Sequence, residues 1–350
     1  MINIHSHIFT DEDIPNGFLP LGLVRILRTK LGYKVFKGLL HNLVPFSKKD
    51  MFDKTLHFIQ AGRLGSQEDI MKGFIQAYPK GSEFVILPMD MEYMGAGKIP
   101  RPYKEQLLHL HTIALHNEKI KPFLALDCRR PEMNDLFQEF IIDKKWAGIK
   151  MYPPLGTFPQ DFKYQGIYEY CEENSIPIMA HCTYGNPVHF KGRKKELKEL
   201  LGAKYIKGMS RKEACNVFTN PDNWEEVSRK YPGLKICLAH SGGMGQWLAW
   251  MSGDRSENNL LTRIKRMCKE NNNMYMDVSF TLSDLRLIPL LKVLLQDEKL
   301  NKKILFGSDY YMNLTENFSE GEWSINFRGL LGEKDFRQIS VLNNERYLYE

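Results

Sequence analysis

Eight short apolar runs, each bounded by proline, glycine or charged turns, recur along this 350-residue chain, and their order constrains the fold more than any other feature. They fall at Ile2–His7, Glu83–Glu92, Ile120–Arg129, Ala147–Pro154, Ile176–Cys182, Leu234–Gly243, Met274–Phe280 and Lys303–Tyr311. Runs of this length, rich in β-branched residues, read as buried parallel strands. Amphipathic stretches at 103–119, 136–146, 164–175, 223–232, 260–272 and 287–300 precede the third to eighth runs and read as helices. Eight strands alternating with helices predict a (β/α)₈ TIM barrel of the α/β class, a single domain spanning 1–350. Two connections exceed ordinary loops. Residues 9–82 form a helical insertion between the first two strands, with helix-like segments at 23–43 and 66–78. Residues 183–222 form a long loop after the fifth strand and carry the basic run 191–214. Both leave strand C-terminal ends, where barrel loops build the pocket, so they are expected to wall or cover it. The basic run also has the character of a solvated helix face.

Composition narrows the function classes. A net charge of +6 spread over a chain with 26% charged residues suits anionic small molecules rather than nucleic acid. No apolar run approaches the ~20 residues of a membrane span, and polar residues from position 3 leave no signal peptide. The six cysteines form no C-x-x-C pair, which predicts reduced thiols in a cytoplasmic protein.

The chemistry sits at the strand ends. His5 and His7 are one residue apart in the first run, and alternate side chains of a strand share a side. His181 ends the fifth run, His240 the sixth and Asp309 the eighth, while Lys150 lies in the fourth. A barrel brings these ends to one rim, with the eighth strand beside the first. His5, His7, His181 and Asp309 around an open position suit Zn²⁺, with Mn²⁺ and Fe²⁺ as alternatives. Any one of them could be a satisfied core group; four at one rim are costly without a shared partner. A second H-x-H, His109 and His111, lies in a helical pattern where residues two apart diverge, so it and His116 are expected on a helix surface. His41 and His57 have no assigned role, and His189 falls in the long fifth connection.

The first-strand histidine pair, "AHC", "LAHSGG" and "FGSD" resemble the amidohydrolase superfamily. The stretch 220–243, "LDCRRP" and the closing "ISVLNNERYLYE" are closer to the branch holding aminocarboxymuconate-semialdehyde decarboxylase, the resorcylate-type decarboxylases and pyrone-dicarboxylate lactonase. The resemblance covers the chain apart from its two insertions. It implies that His5, His7, His181 and Asp309 bind the metal and that His240 is a catalytic or substrate-orienting histidine. "GIKMYPP" also looks like the fourth strand of the dihydroorotase and hydantoinase branch, where the lysine is carboxylated and bridges two ions. A carboxylated Lys150 would then join His240 at a second metal; one metal, with Lys150 paired to Asp309 or to a substrate anion, is the preferred reading.

Hydrolysis is the leading expectation. A water activated by the ion attacks an amide, lactone or ester carbonyl that the ion or His240 polarises, and Asp309 moves the proton to the leaving group. The alternative is non-oxidative decarboxylation of an aromatic or unsaturated acid on the same site. A non-enzymatic metal- or ligand-binding barrel would require a missing ligand, and none is missing. Arg63, Arg129 and Arg130 are candidate carboxylate clamps, although a surface or helix-capping ion pair is the preferred reading of each. Tyr152, Tyr184, Trp247, Tyr310 and Tyr311 are candidate pocket walls, and Asn186 is expected to set a turn before Pro187. The partner is a small-molecule substrate, with a homodimer as the expected assembly.

Overall fold

The computed structural model describes residues 1–19, 23–29, 65–185, 188–310 and 319–350. Among them one eight-stranded sheet runs in strict sequence order. The strands are β1 (Ile2–Ser6), β2 (Glu83–Ile86), β3 (Ile120–Leu126), β4 (Gly148–Met151), β5 (Ile178–Thr183), β6 (Ile236–Gly242), β7 (Met274–Asp277) and β8 (Ile304–Leu305). All seven consecutive pairs are parallel. β8 meets β1 through Ile4 N–H to the Phe306 carbonyl (3.1 Å) and Asp309 N–H to the His5 carbonyl (2.8 Å), which brings the sheet round into a TIM barrel.

The strands are buried along nearly their whole length, as expected where helices cover one face and side chains fill the other. Ile4, Val85, Leu87, Phe123, Met179, Cys237 and Leu305 pack together as one cluster, joined by Tyr347 and Leu348 of the last helix. A larger cluster joins the barrel to its helices Gln67–Gln76, Tyr103–Leu115, Gln165–Glu173, Leu260–Glu270 and Ile288–Leu295. The helix expected at 136–146 is tighter at its start and π-wound over Phe137–Asp143. A second π-wound turn, Gln338–Leu342, offers the Ile339 carbonyl to Phe306 N–H just beyond β8 (3.2 Å). The side-chain amide of Asn344 donates to the carbonyls of Ile2 (2.8 Å) and Phe306 (2.9 Å), so the last helix Asn343–Tyr349 staples the β8–β1 seam.

The connection after β5 is helical rather than one long loop. Helices Lys194–Leu201 and Arg211–Thr219 bury Leu197, Leu201, Ala214, Cys215 and Phe218 against Phe190 and turn their lysines to water. Nine basic and three acidic residues fall in 191–214, so the chain's whole positive excess is concentrated on this one feature. It reaches across the rim. Phe190 N–H bonds the Pro154 carbonyl (2.8 Å), Lys191 N–H the Met94 carbonyl (2.6 Å), and Lys191 Nζ the Phe18 carbonyl (2.7 Å). A Cβ on Gly95 would stand 2.4 Å from the Gly192 nitrogen, and Gly95 has φ +73°, so glycine is needed for this crossing. Of the insertion after β1, the short turn Asp11–Asp13, the helix Leu23–Leu27 and the helix Gln67–Gln76 are described. Arg63, His41, His57, Asn186, Pro187 and Tyr311 lie outside the described residues.

Candidate metal centre

β1 carries His5 and His7 to the rim with ring centroids 5.5 Å apart, and both are buried. Each has its Nδ1 anchored. His5 Nδ1 lies 2.8 Å from Asp277 Oδ2, and His7 Nδ1 lies 2.7 Å from the Leu87 carbonyl oxygen. A carbonyl oxygen can only accept, so Nδ1 of His7 bears the proton and its Nε2 keeps a lone pair. His240, beyond the middle of β6, follows the same rule, with Nδ1 3.0 Å from the Ser279 carbonyl oxygen. Its ring stands 4.8 Å from that of His5 and 4.8 Å from that of His181 on β5.

Asp309 follows β8. Its Oδ1 is 3.7 Å from His7 Nε2, and its Oδ2 is 3.9 Å from His240 Nδ1. Oδ1 is buried with no hydrogen-bond donor on it among the described residues. Such an atom costs free energy unless something positive meets it. Lys150 of β4 is fully buried, with Nζ 3.3 Å from His5 Nε2. Atoms of His5, His7 and Asp309 lie within 4.8 Å of one another, as do atoms of His5, His240 and Asp277. His181 belongs to neither triplet and stands beside His240, its ring stacked 6.1 Å from Tyr152.

The backbone at these strand ends is unusual. His240 (φ +64°), Ser241 (+48°) and Asp309 (+53°) occupy the left-handed region, which L side chains seldom adopt. Fixed partners hold them there. His240 N–H donates to Asp277 Oδ1 (2.8 Å), Gly243 N–H to the His240 carbonyl (2.8 Å), and Trp247 Nε1 to the Ser241 carbonyl (3.1 Å).

Burial dominates the electrostatics. It lowers the pKa of all four imidazoles, with Lys150 adding to the effect, so that His7 and His240 are brought down to about 3. Four neutral imidazoles are four potential donors of a lone pair to a cation. Burial pushes the Asp309 carboxyl up against the opposing pull of Lys150, and pushes the Lys150 ammonium down against the pull of Asp277 and Asp309.

The remaining expected site residues divide. Tyr152 stands in the cluster, its hydroxyl 3.4 Å from His7 Nε2. Arg129 is turned onto Asp127, two residues back, through Nε to Oδ1 (2.9 Å) and Nη2 to Oδ2 (2.5 Å). Arg130 forks onto Asp90 (2.8 and 2.9 Å). Tyr184 is half-buried and accepts from Arg263 (3.4 Å). Tyr310 packs on Phe74 at 4.7 Å, on the helix side. Helix Tyr103–Leu115 separates His109, which is exposed, from His111, which accepts from the Trp146 indole (3.3 Å). Sequence reasoning missed Asp277 and Ser279. Both lie at or just past the end of β7 at alternate positions in "MYMDVSF", the same placement that marks His5 and His7.

The donor set fits a divalent ion of the zinc class. It offers imidazoles fixed by hydrogen bonds at the opposite ring nitrogen, and one carboxylate oxygen with no hydrogen-bond donor among the described residues. The sequence pattern of the amidohydrolase family matches residues 99–348. No curated protein matches the chain. Solved structures share its fold at low identity. A TIM-barrel protein from Bordetella bronchiseptica is 17% identical over 87% of this chain and 91% of its own (TM-score 0.52). An amidohydrolase from Burkholderia multivorans with bound zinc is 11% identical over 80% and 87% (TM-score 0.51). A 4-oxalomesaconate hydratase from Rhodopseudomonas palustris is 14% identical over 99% and 95% (TM-score 0.50). With the family pattern matching most of its length on an eight-stranded parallel barrel, the chain belongs to the amidohydrolase family of metal-dependent TIM-barrel enzymes.

Proposed function

We propose that this protein is a metal-dependent hydrolase acting on the amide, lactone or ester bond of a small carboxylated substrate. His5, His7, His181 and Asp309 would hold one ion, with zinc as the best match to their donor atoms. A divalent ion there supplies Lewis acidity, which polarises a carbonyl and lowers the pKa of water. The chain's residues supply the rest. Asp309 takes the water's proton on Oδ1, which no donor among the described residues covers, and returns it to the leaving group. His240, with Nδ1 committed to Ser279, presents a bare Nε2 and so accepts a hydrogen bond from the attacking water rather than polarising the carbonyl. Lys150 offsets the charge of the buried carboxylates. Tyr152 is the substrate-facing residue, its hydroxyl beside His7. The guanidinia of Arg129 and Arg130 are spent on Asp127 and Asp90, and Arg63, the third candidate clamp, lies outside the described residues. The basic helices on the rim favour an anion as well.

One observation carries this reading: a buried carboxylate oxygen, 3.7 Å from His7 Nε2, that has no donor among the described residues. Asp309→Asn should keep its metal and lose about 10²–10⁴-fold in turnover. The assay is a panel of lactones, amides, esters and hydroxybenzoates, with metal content measured by elemental analysis. Retained turnover in the variant removes Asp309 from the chemistry. Carbon dioxide release without addition of water replaces hydrolysis by decarboxylation. Two ions per chain would point to a carboxylated Lys150.

A further inference from the structure

Asp277 is the most heavily bonded side chain in the centre. Its Oδ2 meets His5 Nδ1 (2.8 Å), while its Oδ1 accepts from His240 N–H (2.8 Å), Ser279 N–H (3.0 Å) and the Ser279 hydroxyl (2.5 Å). Both oxygens are therefore occupied by protein donors, which argues against Asp277 as a metal ligand. The Ser279 hydroxyl also touches His5 Nδ1 (2.9 Å) and His240 Nδ1 (3.1 Å). A hydroxyl has one proton. Given to Asp277, it leaves only lone pairs toward the two imidazoles.

We propose that Asp277 is a positioning residue that fixes the tautomer of His5, leaving its Nε2 lone pair for the ion, while His240 is fixed separately by the Ser279 carbonyl. This rests on the metal-site reading above. The two rings carry the proton in the same sense, His5 on the Asp277 carboxylate and His240 on the Ser279 carbonyl, with the Ser279 hydroxyl offering lone pairs to both.

The arrangement makes an isosteric change informative. In Asp277→Asn, the two backbone N–H groups of His240 and Ser279 can only donate, so they hold the amide oxygen on their side. The amide NH₂ then faces His5 Nδ1 and donates to it. The His5 proton moves to Nε2, where it displaces the Lys150 amine that lies 3.3 Å away, and the lone pair that should meet the ion is lost. His240 keeps the Ser279 carbonyl and stays as it was. Ser279→Ala, by contrast, leaves His5 on Asp277 and His240 on the Ser279 carbonyl.

The test has two readouts. Long-range proton–nitrogen correlation spectra of ¹⁵N-histidine-labelled, metal-free protein report each tautomer, with His5 assigned by loss of its signal in His5→Gln. Zinc affinity is measured by competition with a chromophoric chelator. The expected result is an Nδ1–H His5 in the unsubstituted protein and an Nε2–H His5 in Asp277→Asn. Zinc affinity should be about ten- to a hundredfold weaker in Asp277→Asn, and less affected in Ser279→Ala. An unchanged His5 tautomer in Asp277→Asn, or an unchanged zinc affinity, overturns the proposal. An unsubstituted protein that takes up no zinc overturns the site reading instead. Because the tautomer is read in folded, metal-free protein, loss of folding would show in the same spectra and is separated by the Ser279→Ala comparison.

Discussion

Single residues in this protein are explained by what their charges and lone pairs meet. Arg130 is mostly buried and forks onto Asp90, whose carboxylate is itself buried, with Glu92 as a second partner. Burial raises the Asp90 pKa and Arg130 opposes that rise. Removing one member of a buried pair strands the other, so Arg130→Ala should lower stability by about 3–5 kcal/mol. A thermal or urea unfolding curve checks it, and an unchanged midpoint would show that water relieves Asp90. The strand-end histidines and Asp309 were legible because the barrel rule assigns every strand end to one rim. The fates of Arg129 and Arg130 were not, because a guanidinium on a long stem chooses among acids that only the folded chain brings near. Asp127 and Asp90 made that choice. Asp277 was within reach of the same rule and was passed over only because one acid in an apolar run does not reveal how many donors will converge on it.

At the scale of elements, all eight apolar runs appear as strands, since an uninterrupted run of β-branched residues has few other buried solutions. Their ends were overestimated where special backbone begins. The last run, expected over 303–311, keeps a ladder for Ile304–Leu305 only, because Gly307 must pass against β1. A Cβ on Gly307 would come 2.5 Å from His5 Cβ and 3.1 Å from the His5 nitrogen. Gly307→Ala should therefore push β8 from β1, costing about 1–3 kcal/mol in stability. Because His5 is the atom struck, zinc uptake should fall as well. Both are measurable on one preparation, and normal values for both would mean the seam has slack. The π-wound turns left no mark in the hydrophobic pattern, since one extra residue per turn barely shifts a helical period.

For the whole molecule, the six cysteines are all unpaired and buried, and burial raises the thiol pKa of each. Thiolate is the reactive form, so a disulfide reagent at neutral pH should find almost no thiol in native protein and six after denaturation. Rapid native reaction would show that the barrel opens locally.

The β8–β1 seam has a consequence for synthesis. Asn3 bonds Ser308 across the seam, and Asp309 hangs from the carbonyl of His5. A ribosome releases His5 and His7 long before it polymerises Asp309, and until then His7 lacks the carboxylate that faces it, even after Asp277 has met His5. A nascent chain can fold strand upon strand, yet the proposed grip on a cation closes only once β8 and Asp309 have been added. Truncated products should accordingly be metal-free, however much of the barrel they have built.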